Sequence, residues 1–245
     1  MKNNGARAFA GQFLIFSMLL AATALLLIYA VVFAYRTWDD GTSKGASAEP
    51  DPVLTVILDA GHGGEDGGAV GKDGTAEKEL NLSIAAMLSD MLRASGVKVI
   101  MTRTEDVLLY DRNVDYKGRK KSLDLRARLE VANANPDALF VSIHMNAFPN
   151  KKYSGLQVYY SKNAGESRAL AENIQSTVKT LLQPENDRKI KKAGSSIYLL
   201  DRAPGTAVLV ECGFLSNDEE CEKLCTVKYR RQLAFALFDA ICSFR

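Results

Sequence analysis

The only two histidines in this chain of 245 residues hold the positions that point most directly to chemistry. His62 lies in VILDAGHGG, just after an apolar run, and His144 ends the apolar run of LFVSIHMNA. A histidine at the carboxyl end of a strand faces the crevice in which open α/β sheets bind their ligands. Two such histidines and a carboxylate have the composition of a His/His/Glu zinc site with one open coordination position.

Two glutamates are the candidate carboxylates. Glu211 ends the apolar run TAVLVE, and Glu77 opens the first long helical segment after a glycine-rich loop. The ends of parallel strands share one edge of a sheet, so His62, His144 and Glu211 are expected to converge. Each residue also has an ordinary structural explanation. A lone histidine beside a strand is often a hydrogen-bonded core residue, and a glutamate in a first helical turn complements the helix dipole.

Charged residues near the candidate site have structural alternatives as well. Asp59 and Asp66 are either partners that orient the histidines or simple turn formers. Arg126 and Arg128 are interpreted as solvated or structural side chains and not as catalytic ones.

From residue 53 onward, apolar runs alternate with helical patterns. This alternation predicts a single α/β domain of three layers, with a mainly parallel sheet flanked by helices. The pattern leaves the strand order open. The predicted strands are Val53–Ala60, Val97–Thr102, Ala138–His144, Gly155–Ser161, Ser196–Leu200 and Thr206–Glu211. The predicted helices are EKELNLSIAAMLSDMLRASG, Leu123–Ala134, Glu166–Leu182 and Leu224–Phe244.

The N-terminal region contains an uncharged, proline-free run, FLIFSMLLAATALLLIYAVVFA, which is long enough to cross a bilayer as a helix. Lys2 and Arg7 precede the run, so the positive-inside bias places the N-terminus in the cytoplasm. The run exceeds a usual signal-peptide core, which favours an uncleaved signal anchor. The alternative is a cleaved signal peptide, since Ala46-Ser47-Ala48 resembles a cleavage site.

These features predict four regions along the chain. Residues 1–12 form a cytoplasmic N-terminus, 13–35 a transmembrane signal anchor, 36–52 a polar linker, and 53–245 the catalytic domain. The catalytic domain is therefore expected on the extracytoplasmic side of a membrane, or secreted if the signal is cleaved.

Composition narrows the classes of partner. The net charge of +2 and the lack of a basic stripe interleaved with aromatic residues argue against a nucleic-acid partner. Cys221 and Cys225 are four residues apart on a predicted helix and are poorly aimed for a disulfide. Together with Cys212 and Cys242 they are predicted to be buried free thiols. No CxxC pair indicates a cysteine–zinc site.

The chain resembles the zinc-dependent N-acetylmuramoyl-L-alanine amidases of the Amidase_3 type. The resemblance covers nearly everything from Val56 to Ile241 and rests on four separated blocks in the same order. The blocks are ILDAGHGGEDGGAVG, GTAEKELNL, LRARLEVANANPDALFVSIHMNA and AVLVECGFLSNDEE. The resemblance implies zinc ligands at His62, Glu77 and His144, and a catalytic glutamate at Glu211.

The resemblance also implies a reaction and partners. The family's substrate is peptidoglycan, in which it hydrolyses the amide between the lactyl group of N-acetylmuramic acid and L-alanine. The chain has no separate wall-binding module, so targeting is expected to depend on the membrane segment. That plan is similar to the sporulation and germination branch of the family. An accessory or activating protein is a further expectation, and the sequence does not identify one.

Three alternatives stay open at this point. One is another exported zinc hydrolase of the wall, either a peptidase or a deacetylase. A second is a non-catalytic, membrane-tethered wall-binding protein, against which the intact set of four candidate residues argues. The third is a non-heme iron oxygenase, because two histidines and one carboxylate also bind iron.

Overall fold

The computed structural model describes residues 22–33, 54–111, 113 and 117–244. Contacts divide the chain into two units, Met1–Pro52 and Val53–Arg245. In the first unit, residues 22–33 form helix α1. Within the described ranges, no helix has the length and apolar character needed to span a membrane. Residues 13–21 and 34–35 of the predicted anchor, all of the cytoplasmic segment 1–12 and all of the linker 36–52 lie outside the described residues, so these three regions stay predictions.

The second unit is built on one sheet with the strand order β2-β1-β3-β6-β4-β5. The strands are β1 (Thr55–Ala60), β2 (Lys98–Met101), β3 (Leu139–Asn146), β4 (Gln157–Tyr160), β5 (Lys191–Lys192) and β6 (Ala207–Phe214). The helices are α2 (Glu77–Ala94), α3 (Lys120–Asn133), α4 (Glu166–Leu181), α5 (Tyr198–Arg202), α6 (Asp218–Cys225) and α7 (Val227–Cys242).

Alternate side chains of the strands enter two separate apolar clusters, one on each face of the sheet. In β1, Val56 and Leu58 belong to the first cluster, which helices α2, α4, α6 and α7 complete. Ile57 belongs to the second cluster, to which α3 and α5 contribute. A strand that is apolar on both faces needs cover on both, which explains the near-continuous apolar runs in the sequence. The expected α/β class with helices on both faces of the sheet is confirmed.

The sheet is mixed. Of the five strand pairings among the described residues, only β4 with β6 is antiparallel. Residues 147–156, which join β3 to β4, contain no helix that would return the chain to the opposite edge. Strand β4 therefore starts at the edge where β3 ends and runs the other way.

Two predicted elements differ from the structure, and one strand of the structure was not predicted. The segment Ser196–Leu200 was expected to be a strand, but its second half opens the short helix α5. A five-residue apolar run cannot distinguish a strand from a buried helical turn. The predicted helix Leu224–Phe244 is two helices, because the Thr226 side chain caps α7 by accepting a hydrogen bond from the backbone of Tyr229. Strand β5 carries two exposed lysines, and its sequence has no strand pattern.

Candidate metal centre

The four candidate residues lie at one edge of the sheet. His62 follows β1, His144 is near the end of β3, and Glu211 is its direct neighbour in β6. Glu77 is the first residue of α2. Parallel pairing of β1, β3 and β6 produces this arrangement, because their carboxyl ends share an edge.

Three of these side chains form a compact cluster. Glu77 Oε1 lies 2.9 Å from His144 Nδ1 and 3.3 Å from His62 Nε2. The imidazole centroids are 4.9 Å apart, with the rings nearly perpendicular. One potential ligand atom from each of the three residues lies within 4.8 Å of the others. Two nitrogens and one carboxylate oxygen at these separations can bind a single divalent ion.

Glu77 is buried and its carboxylate is held in place on several sides. Oε2 accepts a hydrogen bond from the backbone of Ala69 at 2.8 Å, and Oε1 accepts one from the backbone of Met145 at 3.0 Å. Burial acts to raise the pKa of Glu77, but hydrogen bonds and charge interactions with His144 and His62 hold the pKa far below its usual value. The carboxylate therefore stays ionised, as a metal ligand must be.

The backbone of His62 adopts the left-handed conformation, with φ of 61°. This conformation is uncommon for a residue with a side chain. The Arg128 guanidinium donates to the His62 carbonyl at 2.7 Å. On the imidazole, Nδ1 lies 2.9 Å from Asp66 Oδ2 in an ion-pair contact that is not aligned as a linear hydrogen bond. Burial lowers the pKa of His62, but Glu77 and Asp66 together raise it above its usual value.

A buried ionic network supports the end of β1. Arg128 donates to Asp59 at 2.6 Å, to Asp124 at 2.8 Å and to the Ala60 carbonyl at 2.8 Å. Asp59 is fully buried, which acts to raise its pKa, but Arg128 holds that pKa below the usual value. The network fixes the backbone that leads into His62.

A second buried guanidinium belongs to Arg103. It donates to the carbonyls of Ala60 at 2.8 Å and Gly61 at 3.0 Å, and also to that of Lys78 at 2.8 Å. Arg103 thereby joins the end of β1 to the first turn of α2, and so connects the segments that carry His62 and Glu77.

Glu211 differs from the other carboxylates because one of its oxygens has no partner. The residue keeps some exposed surface, yet Oε2 is shielded from solvent and lacks a hydrogen bond within the described part of the chain. Burial raises the pKa of Glu211 to about 7; His144 opposes this shift and Glu77 adds to it. A buried carboxylate without a partner, with a pKa near neutrality, is typical of a functional site.

Two glycines make room for the ligand side chains. A side chain at Gly61 would overlap the imidazole of His144. A side chain at Gly68 would overlap Glu77 and His62, and Gly68 also has a φ of 69°, which favours glycine.

A cavity of about 260 Å³ opens beside the cluster and reaches His62, His144 and Glu211. Leu125 of α3 and Tyr198 of α5 line its other side. A larger cavity of about 880 Å³ elsewhere in the domain contains none of the four candidate residues. The smaller cavity combines an apolar wall with titratable groups, a combination typical of ligand-binding sites.

Comparison with known proteins agrees with this geometry. Residues 56–243 match the family model for N-acetylmuramoyl-L-alanine amidase. The chain belongs to this family.

Three relatives illustrate the relationship. The germination-specific N-acetylmuramoyl-L-alanine amidase of Bacillus subtilis is 36% identical over 215 residues, which cover 88% of this chain and 89% of the relative. The CwlD amidase of Clostridioides difficile was solved in complex with the GerS lipoprotein. It is 40% identical with a TM-score of 0.74, and the match covers 78% of this chain and 98% of the CwlD chain. The amidase AmiC2 of Nostoc punctiforme is 31% identical with a TM-score of 0.66, and the match covers 78% of this chain and 96% of the AmiC2 chain.

Not every charged residue near the candidate metal centre was predicted. Asp66 contacts His62 directly, whereas Asp59 accepts hydrogen bonds from Arg128, Ser142 and Thr102. Arg128 is structural, as expected, and Arg126 is exposed on the same helix. Arg103 was not predicted. It follows strand β2 just as His62 follows β1, so its position after a strand could have indicated it.

The cysteine prediction is partly correct. None of the four cysteines, all within the described residues, forms a disulfide. Cys212 and Cys221 are buried, but Cys225 and Cys242 are partly exposed.

Proposed function

We propose that this amidase hydrolyses the amide between the lactyl group of N-acetylmuramic acid and the L-alanine of peptidoglycan stem peptides. In this proposal His62, Glu77 and His144 hold a zinc ion, and Glu211 is the catalytic base. The observation that carries the proposal is the convergence of these four side chains at one sheet edge in a chain of this family.

The three proposed ligands suit zinc by type and by arrangement. Catalytic zinc sites combine three nitrogen, oxygen or sulfur ligands from the protein with one open position. Here two imidazole nitrogens and a carboxylate oxygen lie within 4.8 Å of one another beside an open cavity. When bound, zinc supplies a Lewis acid that polarises the substrate carbonyl and favours ionisation of the attacking water.

Glu211 is proposed to carry out both proton transfers of the reaction. Its partnerless Oε2 is available to accept the proton of the attacking water, and the resulting carboxylic acid then donates a proton to the departing L-alanine amine. Burial acts to raise the pKa of this carboxyl group, which favours a group that both accepts and donates a proton. The chain has no third histidine, so we assign both transfers to this one residue.

The neighbouring residues are proposed to position these groups. Asp66 orients His62 from the side opposite Glu77, and Arg128 holds the His62 backbone. Leu125 and Tyr198 form a wall that limits water access to the cavity. Such partners keep ligands in a single orientation before the substrate arrives.

The cellular setting is also a proposal. We place the catalytic domain outside the cytoplasm, anchored by the helix predicted over 13–35, because peptidoglycan is found there and Lys2 and Arg7 precede the apolar run. Similarity to a germination-specific amidase supports a role in the spore cortex. A relative solved with a lipoprotein supports an accessory protein at the membrane surface. Protease treatment of intact cells should degrade the catalytic domain and spare the first twelve residues.

Digestion of purified peptidoglycan tests the reaction. The full-length protein should release peptides with new L-alanine amino groups, identified by mass spectrometry, and Glu211→Gln should release them about 10²–10⁴-fold more slowly. New amino-sugar amines would instead indicate a deacetylase, and cleavage within the stem peptide would indicate a peptidase. Absence of any new chain end with zinc-loaded protein would refute the proposed reaction.

Elemental analysis of the same preparation tests the metal. Protein purified without added metal should contain zinc, and Glu211→Gln should contain as much as the wild type. Iron in its place, with oxygen consumption, would favour the non-heme iron alternative.

A further inference from the structure

A second group of potential metal ligands lies away from the amidase site. It consists of Cys221 and Cys225 on α6 and of Asp73, in the loop before α2, and we call it the thiol cluster. Cys221 Sγ lies 3.8 Å from Asp73 Oδ1, and Cys225 Sγ lies 3.4 Å from Asp73 Oδ2. The Thr75 hydroxyl is 3.4 Å from Cys225 Sγ. The thiol cluster shares no residue with the His62 site.

Both thiols face the same loop because of their spacing on the helix. Residues four apart lie on one face of an α-helix. Gly71 permits the close approach, because a Cβ atom at this position would lie 2.6 Å from Cys221 Sγ. A contact of 3.4 Å between Lys72 Nζ and Asp218 Oδ2 joins the loop to α6 beside the thiol cluster.

We propose that Cys221, Cys225 and Asp73 bind a second zinc ion, with the Thr75 hydroxyl or a water molecule as fourth ligand. A tetrahedral shell with Zn–S of about 2.3 Å and Zn–O of about 2.1 Å places its ligand atoms roughly 3.4–3.8 Å apart. The two cysteine sulfurs approach different oxygens of the Asp73 carboxylate, at 3.8 Å to Oδ1 and 3.4 Å to Oδ2, and the Thr75 hydroxyl lies 3.4 Å from Cys225 Sγ. One ligand atom from each of the three residues lies within 4.8 Å of the others, so a small adjustment of the exposed carboxylate brings them into a single shell.

The chemistry of the thiol cluster suits a thiophilic cation. Both Sγ atoms are directed at carboxylate oxygens, and binding of zinc replaces those contacts while two thiol protons pass to solvent. Cys221 is buried, whereas Asp73 is exposed, so an ion can enter from the loop side. Two thiolates and a carboxylate favour zinc over magnesium or calcium, which prefer oxygen ligands.

The location connects the thiol cluster to the amidase site. Gly71 and Thr75 close the loop through a backbone hydrogen bond of 2.9 Å, and Val70 pairs with Ala76. Glu77 follows immediately. A zinc ion at the thiol cluster would therefore link this loop to helix α6. Glu77, the first residue of α2, directly follows the loop.

Cobalt substitution tests the proposal with a signal that does not depend on activity. The metal-free, reduced, full-length protein is titrated with Co²⁺. Thiolate ligands produce an intense near-ultraviolet charge-transfer band, which imidazole and carboxylate ligands do not. We expect two cobalt ions per chain and this band. The Cys221→Ser/Cys225→Ser variant should keep one cobalt ion and lose the band, whereas Cys242→Ser, a thiol elsewhere, should keep both.

Two further variants separate this proposal from the proposed function. His62→Ala/His144→Ala should lose one cobalt ion and keep the near-ultraviolet band. Asp73→Asn, an exposed change that retains a side-chain oxygen, should weaken the cobalt affinity measured in the band at least tenfold, even if the double serine variant fails to fold. A saturated, reduced wild-type protein without the band would overturn the proposal. The proposal would also be overturned if the double serine variant still bound two cobalt ions per chain. The same conclusion would follow if Cys221 and Cys225 formed a disulfide and its reduction restored no cobalt binding.

Discussion

Replacement of Arg128 by methionine tests how the buried ionic network supports the site. Methionine keeps much of the length but removes every donor. Arg128 donates to Asp59, Asp124 and the carbonyls of Ala60 and His62 at 2.6–2.8 Å. Removal of one member of a buried ion pair costs about 3–5 kcal/mol, because the remaining charge is left without compensation. That loss is a large part of the about 5–15 kcal/mol that stabilises a typical domain.

The effect should extend to the metal. The His62 carbonyl loses its donor in Arg128→Met, so the left-handed backbone that aims the imidazole is less constrained. Loss of such supporting contacts lowers metal affinity about 10–100-fold. We therefore expect a lower free energy of unfolding in urea, followed by circular dichroism, and weaker zinc binding in a chelator competition.

Two controls make the result interpretable. Arg126→Met changes an exposed arginine on the same helix and should alter stability by no more than about 0.5 kcal/mol. Adding Asp59→Asn to Arg128→Met removes an uncompensated charge and should recover part of the lost stability. If Arg128→Met unfolds within about 1 kcal/mol of the wild type, the role of the network is refuted.

Three further predictions concern catalysis, the ligand cradle and pH. Glu211→Gln should lower kcat by about 10²–10⁴-fold at unchanged zinc content, and wild-type turnover in that variant would exclude Glu211 as the base. Gly61→Ala should displace the His144 imidazole and weaken zinc binding about 10–100-fold, whereas Gly165→Ala, where a Cβ meets no atom within 4 Å, should not. The folded-state pKa of Asp59 is depressed, so its stabilisation is present above its unfolded pKa and is lost as pH falls through the folded value. Urea unfolding from pH 7 downward should therefore show a steeper acid loss in the wild type than in Asp59→Asn/Arg128→Met, and parallel curves would contradict this assignment.

Much of the architecture follows from local patterns. The apolar runs that became β1, β3 and β6 are buried on both faces, and such runs alternate with helices only in a layered α/β fold. The direction of β4 was not predictable, because it depends on which strand it pairs with. Strand order depends on contacts between distant segments, and these contacts leave no periodic trace in the sequence. Strand β5 and helix α5 are too short for periodicity to identify.

In the candidate site, too, some residues could be predicted from the sequence and others could not. The rule that parallel strands end at a common edge anticipated that His62, His144 and Glu211 would approach one another. The supporting residues were harder to find, because Arg128 reaches the His62 carbonyl from a helix 66 residues away. Neither a motif nor a spacing marks a hydrogen bond between a side chain and a distant backbone carbonyl.

X-ray diffraction at the zinc absorption edge, on crystals of the zinc-loaded protein, tests the central claim most directly. We predict an anomalous peak about 2.0–2.2 Å from His62 Nε2, His144 Nδ1 and a carboxylate oxygen of Glu77, with Glu211 beside the open position. An ordered site in which these side chains surround no peak, or zinc found only at other residues, would contradict it.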